Sequence, residues 1–458
     1  MKSMDLSPYA TFFKDYTELR AQENRNYQIV LVNGDIMSNF SGSKSGICAR
    51  VYRQGVWGFS SNPEVSSEAI KQTVQSAAHN ASFLHSREQK GAGPLPVVQA
   101  VSQEDFTTSI IRRSRAEIME FLREIDDFII QNCPKLSSRT LILSGLDMEK
   151  TLLTSEGSSA FSMIPRTILV VMLSVERQGE PFELYSLHGG FGQYEDNFLE
   201  PLTFGLILEQ YDHLLRKSEG VYAETGFKEC ILDADLAGIL AHEAIGHTTE
   251  ADFVLGGSIA SEYLDEEVAS PLITLTDFAH TALNQRCPVP VFVDDEGTKA
   301  EDVVIIEKGI LKGYMHNKET ALRFGVKPTG NARAFLFSDE PLIRMRNTTI
   351  LPRKDRVGDM IASIDDGYYL IRSSNGQADS TSEFMFGIVL GYEIKHGKIG
   401  RAIRDTTISG VAFDVLKTVT MISGDMSWIC AGMCGKKQPI PVGMGGPAIK
   451  CKVNIGGR

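Results

Sequence analysis

Six consecutive residues carry the densest chemistry in this chain: His242-Glu243-Ala244-Ile245-Gly246-His247. Two imidazoles flank a carboxylate, in a stretch that reads as a helix. Imidazole is a ligand for borderline metals such as zinc, and a carboxylate beside such a metal can move protons. The spacing, H-E-x-x-x-H, is one residue longer than that of the H-E-x-x-H zinc helix. On a regular helix, positions i and i+4 lie about 40° apart, whereas i and i+5 lie about 140° apart. An ordinary α-helix would therefore turn the two rings away from each other. If both rings serve one ion, the helix must widen by a π-type turn or break near Gly246, which supplies backbone freedom. A buried helix can also carry a structural histidine, and the hexapeptide alone leaves both readings open.

A zinc site needs at least three protein ligands. His280, His316 and His396 are candidates for the third, as are Cys430 and Cys434 in the run Trp428-Ile429-Cys430-Ala431-Gly432-Met433-Cys434-Gly435. Cys434 lies between two glycines, in a loop with little steric cover, where a metal could approach. Its other reading is a small buried hydrophobe. Cys430 follows Trp428 and Ile429 and reads as core, and Cys451 sits in a strand near the end. Glu250 and Asp252 follow on the motif helix, where one of them could accept a hydrogen bond from a zinc-bound imidazole. Arg333, Arg344 and Arg346 carry guanidinium forks suited to a substrate carboxylate or main chain, or to the many acids of this chain.

These residues need a scaffold. A length of 458 residues predicts two domains. The pattern predicts an α+β fold. An N-terminal α/β domain covers 1–225, and a C-terminal domain rich in antiparallel β-sheet covers 226–458 and carries the metal-binding helix. Helices are expected over 7–24, 63–83, 110–132 and 201–219, the last with Pro201 in its first turn. Strands are expected over 27–32, 46–57, 140–147, 150–155 and 168–177. The motif helix should start at Asp233 or Asp235 as a cap and end at Gly256-Gly257. Hairpins are expected at Lys308-Gly309 and His396-Gly397, and a helix near 411–417.

The formal charge of −12 argues against nucleic-acid binding and against attraction to anionic membranes. No apolar run reaches the length of a membrane span. Met1-Lys2-Ser3-Met4-Asp5-Leu6 lacks the apolar core of a signal peptide. Seven scattered cysteines suit a reducing compartment. The expectation is a cytoplasmic protein.

The stretch Gly238–His247, continuing Thr248-Thr249-Glu250-Ala251-Asp252, resembles the signature helix of the TldD/PmbA family of metalloproteases. Gly55-Val56-Trp57-Gly58-Phe59-Ser60-Ser61 is similar to the family's N-terminal strand-turn. Asp295-Glu296-Gly297-Thr298, Gly330-Asn331-Ala332-Arg333, Arg344-Met345-Arg346-Asn347-Thr348, Met433-Cys434-Gly435-Lys436 and Pro441-Val442-Gly443 follow in order. Gly445-Gly446-Pro447 and Cys451 depart from the pattern. The resemblance implies the active, zinc-binding, TldD-like branch. It implies Zn2+ held by His242, His247 and Cys434, with Glu243 as the catalytic base. It further implies unfolded or flexible peptides as substrates, and a homodimer or a heterodimer with a TldE/PmbA-like subunit that lacks the helix motif. Two other functions stay open: a non-proteolytic zinc amidase or hydrolase, and a regulatory subunit whose zinc is structural and bound by four protein ligands.

Overall fold

The computed structural model describes residues 4–88, 93–198 and 202–456; the expectations for Met1–Ser3 and for Pro201 fall outside the described residues. The N-terminal half is built on one mixed sheet. Its strands are β1 (Tyr16–Val32), β2 (Asp35–Arg53), β3 (Val56–Asn62), β4 (Val101–Asp105), β5 (Leu136–Thr154), β6 (Ser159–Arg177) and β7 (Glu180–Phe191). The order is β3-β2-β1-β5-β6, and β4 (parallel) and β7 (antiparallel) share the far edge of β6. Along β6 buried residues alternate with partly exposed ones, the period-2 signature of a sheet covered mainly on one face. Helix α1 (Ser67–Glu88) covers Leu19, Ala21, Ile47 and Val51 with Ile70, Val74 and Ala77. Helix α2 (Arg115–Asn132) starts at a Ser114/Glu117 capping box and covers Leu141, Leu143, Leu169 and Val171. The Leu202–Ser218 helix joins the same core through Ile207 and Leu214.

Two expectations fail here. Residues 7–24 are not one α-helix: Ser7–Phe12 is a short 3-10 helix, and β1 begins at Tyr16. Tyr9, Phe12 and Phe13 pack on the α1 core as a local cluster, which mimics helical spacing. From Thr17 to Gln22 the strand is buried on both faces, so the alternation that marks a half-exposed strand is missing. Residues 140–147 and 150–155 are likewise one continuous strand, β5, with no turn at Asp147.

The second face of β1 is covered by loops of the C-terminal half, and the contact is polar. Arg50 bonds Glu18 at 2.9 Å and also reaches Glu296. The Nζ of the fully buried Lys318 donates to Tyr16 at 2.8 Å and to Glu156 at 3.0 Å. Arg20 donates to the carbonyls of Leu336 and Asp339, and Gln22 to that of Phe335.

The C-terminal half holds two larger sheets. One runs Asp366–Ala378, Gly226–Leu232, Ile449–Ile455, Thr406–Val411, Glu383–Lys395 and Lys398–Ala402, with Met421–Ile422 beside Ile449–Ile455. The other runs Ile310–Leu311, Val303–Glu307, Leu275–Phe278, Asn347–Ile350, Gly443–Gly446 and Ser427–Ile429. The pairings are antiparallel except Gly226–Leu232 with Asp366–Ala378 and Asn347–Ile350 with Gly443–Gly446. Hairpins at Lys308-Gly309 and His396-Gly397 and the Ala412–Lys417 helix agree with the expectations. Leu236, Leu240, Ala241, Ala244 and Ile245 of the motif segment share one core with Leu275 and Ile350 of one sheet and Leu370 and Ile388 of the other. The helix approaches its neighbours closely because Gly238 lacks a side chain: a Cβ there would stand 2.8 Å from the backbone nitrogen of Gly445. Among the described residues no helix is long and apolar enough to cross a membrane.

Candidate metal centre

Asp233 caps the motif helix, its carboxylate accepting from the Ala234 amide and from the Tyr369 hydroxyl. One α-helical segment, Ala234–Ile239, leads into a π-helix, Leu240–Gly246, and then a 3-10 turn, His247–Thr249. The amide of His247 donates to the carbonyl of His242, an i→i+5 bond that places the two histidines one π-turn apart on the same side. The two rings meet with centroids 5.3 Å apart. The departure from α geometry demanded by the five-residue spacing is present. Thr248 and Thr249 help end it: their hydroxyls donate to the Ile245 carbonyl at 2.9 Å, and that of Thr249 also to Gly246. The segment does not run on as one helix to Gly256-Gly257. A separate helix, Ala251–Leu255, precedes those glycines.

Gly246 works differently from expectation. Its φ is −57°, open to any residue. What excludes a side chain is the buried Met345: a Cβ on Gly246 would lie 1.9 Å from its sulfur. Gly246→Ala is therefore expected to overpack this contact and destabilise the fold by about 1–3 kcal/mol. Chemical denaturation of the variant measures this, and wild-type stability would show that Met345 moves aside without strain.

Cys434 reaches the same spot from far along the chain. It lies in the two-residue strand Met433–Cys434, paired with Ile440–Pro441 in a tight hairpin. Arg344, fully buried, donates to the carbonyls of Cys434 (2.6 Å), Lys436 (3.1 Å) and Gln438 (2.8 Å) and so shapes that hairpin. From the N-terminal sheet, Arg166 donates to the carbonyl of Gly432. The Sγ of Cys434 lies 3.3 Å from Nε2 of His247. One donor atom from each of His242, His247 and Cys434 falls within 4.8 Å of the others, the cluster of this kind found among the described residues.

The burial of these groups is informative. His242 is fully buried, and neither ring nitrogen has a hydrogen-bond partner. A buried polar group left unpaired costs about 1–3 kcal/mol, and a bound ion beside Cys434 would satisfy it. Burial alone would push the Cys434 thiol up, but the imidazoles of His242 and His247 facing it reverse this and bring it down to about 3. Burial would likewise lower His247, and contact with Cys434 and Glu250 raises it to about 10 instead. Cys434 and His247 thus form one thiolate–imidazolium pair, in which the sulfur already has the form that binds metals and His247 has to release its proton to do so. Two imidazoles and a thiolate form a donor set that zinc accepts. Glu243 sits at the open side, its carboxylate 3.7 Å from Nε2 of His247 and about a quarter exposed. With His247, Phe253 and Lys436 it lines a cleft whose far wall is the segment 376–380.

The other candidates lie elsewhere. His280 stacks on Phe292, His316 is buried against Thr320, and the exposed His396 pairs with Asp365. Cys430 is half-buried near Gly190, and Cys451 pairs with Cys230 across two strands. The three arginines serve the scaffold. Arg333 bonds the carbonyls of Met345 and Pro441, and Arg346 is buried against Asp277 at 2.9 Å. Of the two acids, Glu250 is the one that meets a histidine, accepting from Nδ1 of His247 at 3.2 Å.

Residues 225–457 match the family described as PmbA/TldA metallopeptidase C-terminal domain, and residues 17–81 match its domain 1. The chain belongs to the PmbA/TldA metallopeptidase family. Curated relatives span nearly its full length. A metalloprotease of Methanocaldococcus jannaschii is 31% identical over 95% of this chain and 96% of its own. A metalloprotease TldD homolog of Buchnera aphidicola is 30% identical over 99% and 95%. A zinc metalloprotease TldD homolog of Saccharolobus solfataricus is 28% identical over 91% of each. The fold is shared with the crystal structure of TldE from Thermococcus kodakarensis, with a TM-score of 0.75 at 17% identity over 98% of each chain. Family membership agrees with the motifs quoted from the sequence, and it makes a metallopeptidase the activity to be tested at this cleft.

Proposed function

We propose that this chain is a zinc-dependent peptidase of H-E-x-x-x-H type acting on unfolded or flexible peptides. His242, His247 and Cys434 would hold the ion and Glu243 would act as general base. The observation that carries the reading is the convergence of these donors around a buried histidine with no other partner. A zinc ion bound there supplies Lewis acidity, polarising a carbonyl and acidifying water. Glu243, at the open side of the cleft, takes the proton from the attacking water and passes it to the leaving amine. Three protein donors, as opposed to four, favour a catalytic over a structural ion.

The wall of the cleft supports an extended substrate. Residues 376–378 pair with 384–386 on one side, while pairing with Gly226–Leu232 on the other side stops at Leu370. A peptide added along such an edge is held through its main chain, which tolerates many sequences and excludes folded proteins. In this reading residues 1–225 form a supporting domain and 226–458 the catalytic one. The chain works in the cytoplasm, as a homodimer or with a TldE/PmbA-like partner, a pairing in keeping with its fold likeness to TldE.

Purified protein should carry one zinc per chain and cleave a disordered peptide, and a chelator should stop it. Cys434→Ser should lose most of both zinc and activity. Metal analysis beside a peptide-cleavage assay decides it: full zinc and full activity in that variant would show that the thiolate is not a ligand.

A further inference from the structure

Lys436 takes no part in the chemistry assigned above, yet it borders the cleft two residues beyond Cys434. Its ammonium is nearly buried. It donates to Glu250 Oε2 at 3.0 Å, to Asp252 Oδ1 at 2.8 Å and Oδ2 at 2.7 Å, and to the carbonyl of Ile343 at 3.2 Å. It also stands 4.5 Å from the centre of the Phe253 ring. An ammonium has three protons. Glu250, Asp252 and Ile343 occupy all of them, so none is left to stabilise charge on a substrate.

The partners of Lys436 point instead to the metal ligands. Glu250 is fully buried, and the same Oε2 that accepts from Lys436 accepts from Nδ1 of His247. A carboxylate at that depth needs hydrogen-bond donors, and Lys436 and His247 supply them. Metal-binding imidazoles characteristically donate their second nitrogen to such a group, which fixes the ring. Lys436 thus ties the hairpin that carries Cys434 to the carboxylate that aligns His247. The two segments are 186 positions apart in sequence at this bond.

We infer that Lys436 is a positioning residue: gripped by Glu250 and Asp252, it holds the Cys434 hairpin against the segment that follows His247 so that sulfur and imidazole converge on one ion. The inference rests on the metal reading proposed above. It is a role in assembling the site, separate from contact with substrate.

The test uses the full chain, stripped of metal. Wild type and Lys436→Met are titrated with zinc against a competing chelator. Each is also loaded with cobalt(II), whose near-ultraviolet sulfur-to-metal charge-transfer band reports thiolate ligation. Loss of such an outer partner weakens metal binding about 10–100-fold. That is the expected change, together with a diminished thiolate band at saturating cobalt. Wild-type zinc affinity with a full band in Lys436→Met would overturn the inference and leave the metal reading intact. A wild type that binds no zinc would overturn the metal reading itself. Should Lys436→Met fail to fold, Asp252→Asn carries the test, because that side chain is 38% exposed and loosens the same ammonium. Weaker zinc binding at an unchanged melting temperature of the metal-free protein supports the role; unchanged binding sinks it.

Discussion

Glu243→Gln is expected to retain zinc at the wild-type level while peptide turnover falls about 10²–10⁴-fold, the usual contribution of a general acid/base group. The amide is nearly the same shape as the carboxylate but cannot accept a proton. Glu243 is the one residue of the Leu240–Gly246 π-turn that is not buried, so the substitution costs little packing. It sits beside the donor cluster without belonging to it, so metal uptake should survive. Metal analysis and initial rates on a disordered peptide, measured on one preparation, separate the two effects. Turnover at the wild-type rate would remove Glu243 from the mechanism, and loss of zinc would make it a ligand instead of a base.

The second large effect is structural and independent of the metal. Asp277 is fully buried and collects five donors: the amides of Arg346 and Asn347, the guanidinium of Arg346, the amide side chain of Asn331 and the hydroxyl of Thr348. Asp277→Ala takes the carboxylate from beside the equally buried Arg346, whose other bonds go to main-chain carbonyls, and removes an acceptor from the amides of Arg346 and Asn347, the Asn331 side chain and the Thr348 hydroxyl. Breaking a buried pair from one side costs about 3–5 kcal/mol. Denaturant unfolding of the variant should show a loss of that size. A loss below about 1 kcal/mol would mean that water enters and replaces the carboxylate.

What the residue order revealed depended on how local the cause was. The irregular helix follows from counting: two rings five positions apart cannot share one side of an α-helix, and the π-turn from Leu240 to Gly246 is how the chain resolves this. Its cap at Asp233 is equally local. Cys434 is another matter. Its flanking glycines set it only weakly apart from Cys430, and the resemblance to a family singled it out. In the fold Arg344 and Arg166 bring it to the histidines, and both act through main-chain carbonyls, which a sequence does not distinguish. The roles of Gly246 and Glu250 were hidden for the same reason. The first is set by the sulfur of Met345, and the second by which acid happens to face Nδ1 of His247. The missed start of β1 shows the limit of periodicity. Arg20 and Gln22 are polar yet buried because their partners, Asp295, Leu336 and Phe335, come from the other half of the molecule, and the buried Glu18 bonds Arg50, which itself reaches across to Glu296.

The long gap between the helix and the cysteine hairpin bears on the timing of synthesis. His247 and Cys434 stand 187 positions apart, and strands needed by both sheets lie between them. A growing chain exposes the histidines long before the thiol exists. The hairpin then needs Arg344 from its own half and Arg166 from the N-terminal sheet to take its shape. An intermediate that has not yet reached Cys434 therefore has two of the three donors, and the set can close only once the chain has been made that far. If unfolded peptides are the substrates, as proposed above, that order of events spares the one unfolded polypeptide always within reach, the enzyme's own growing chain.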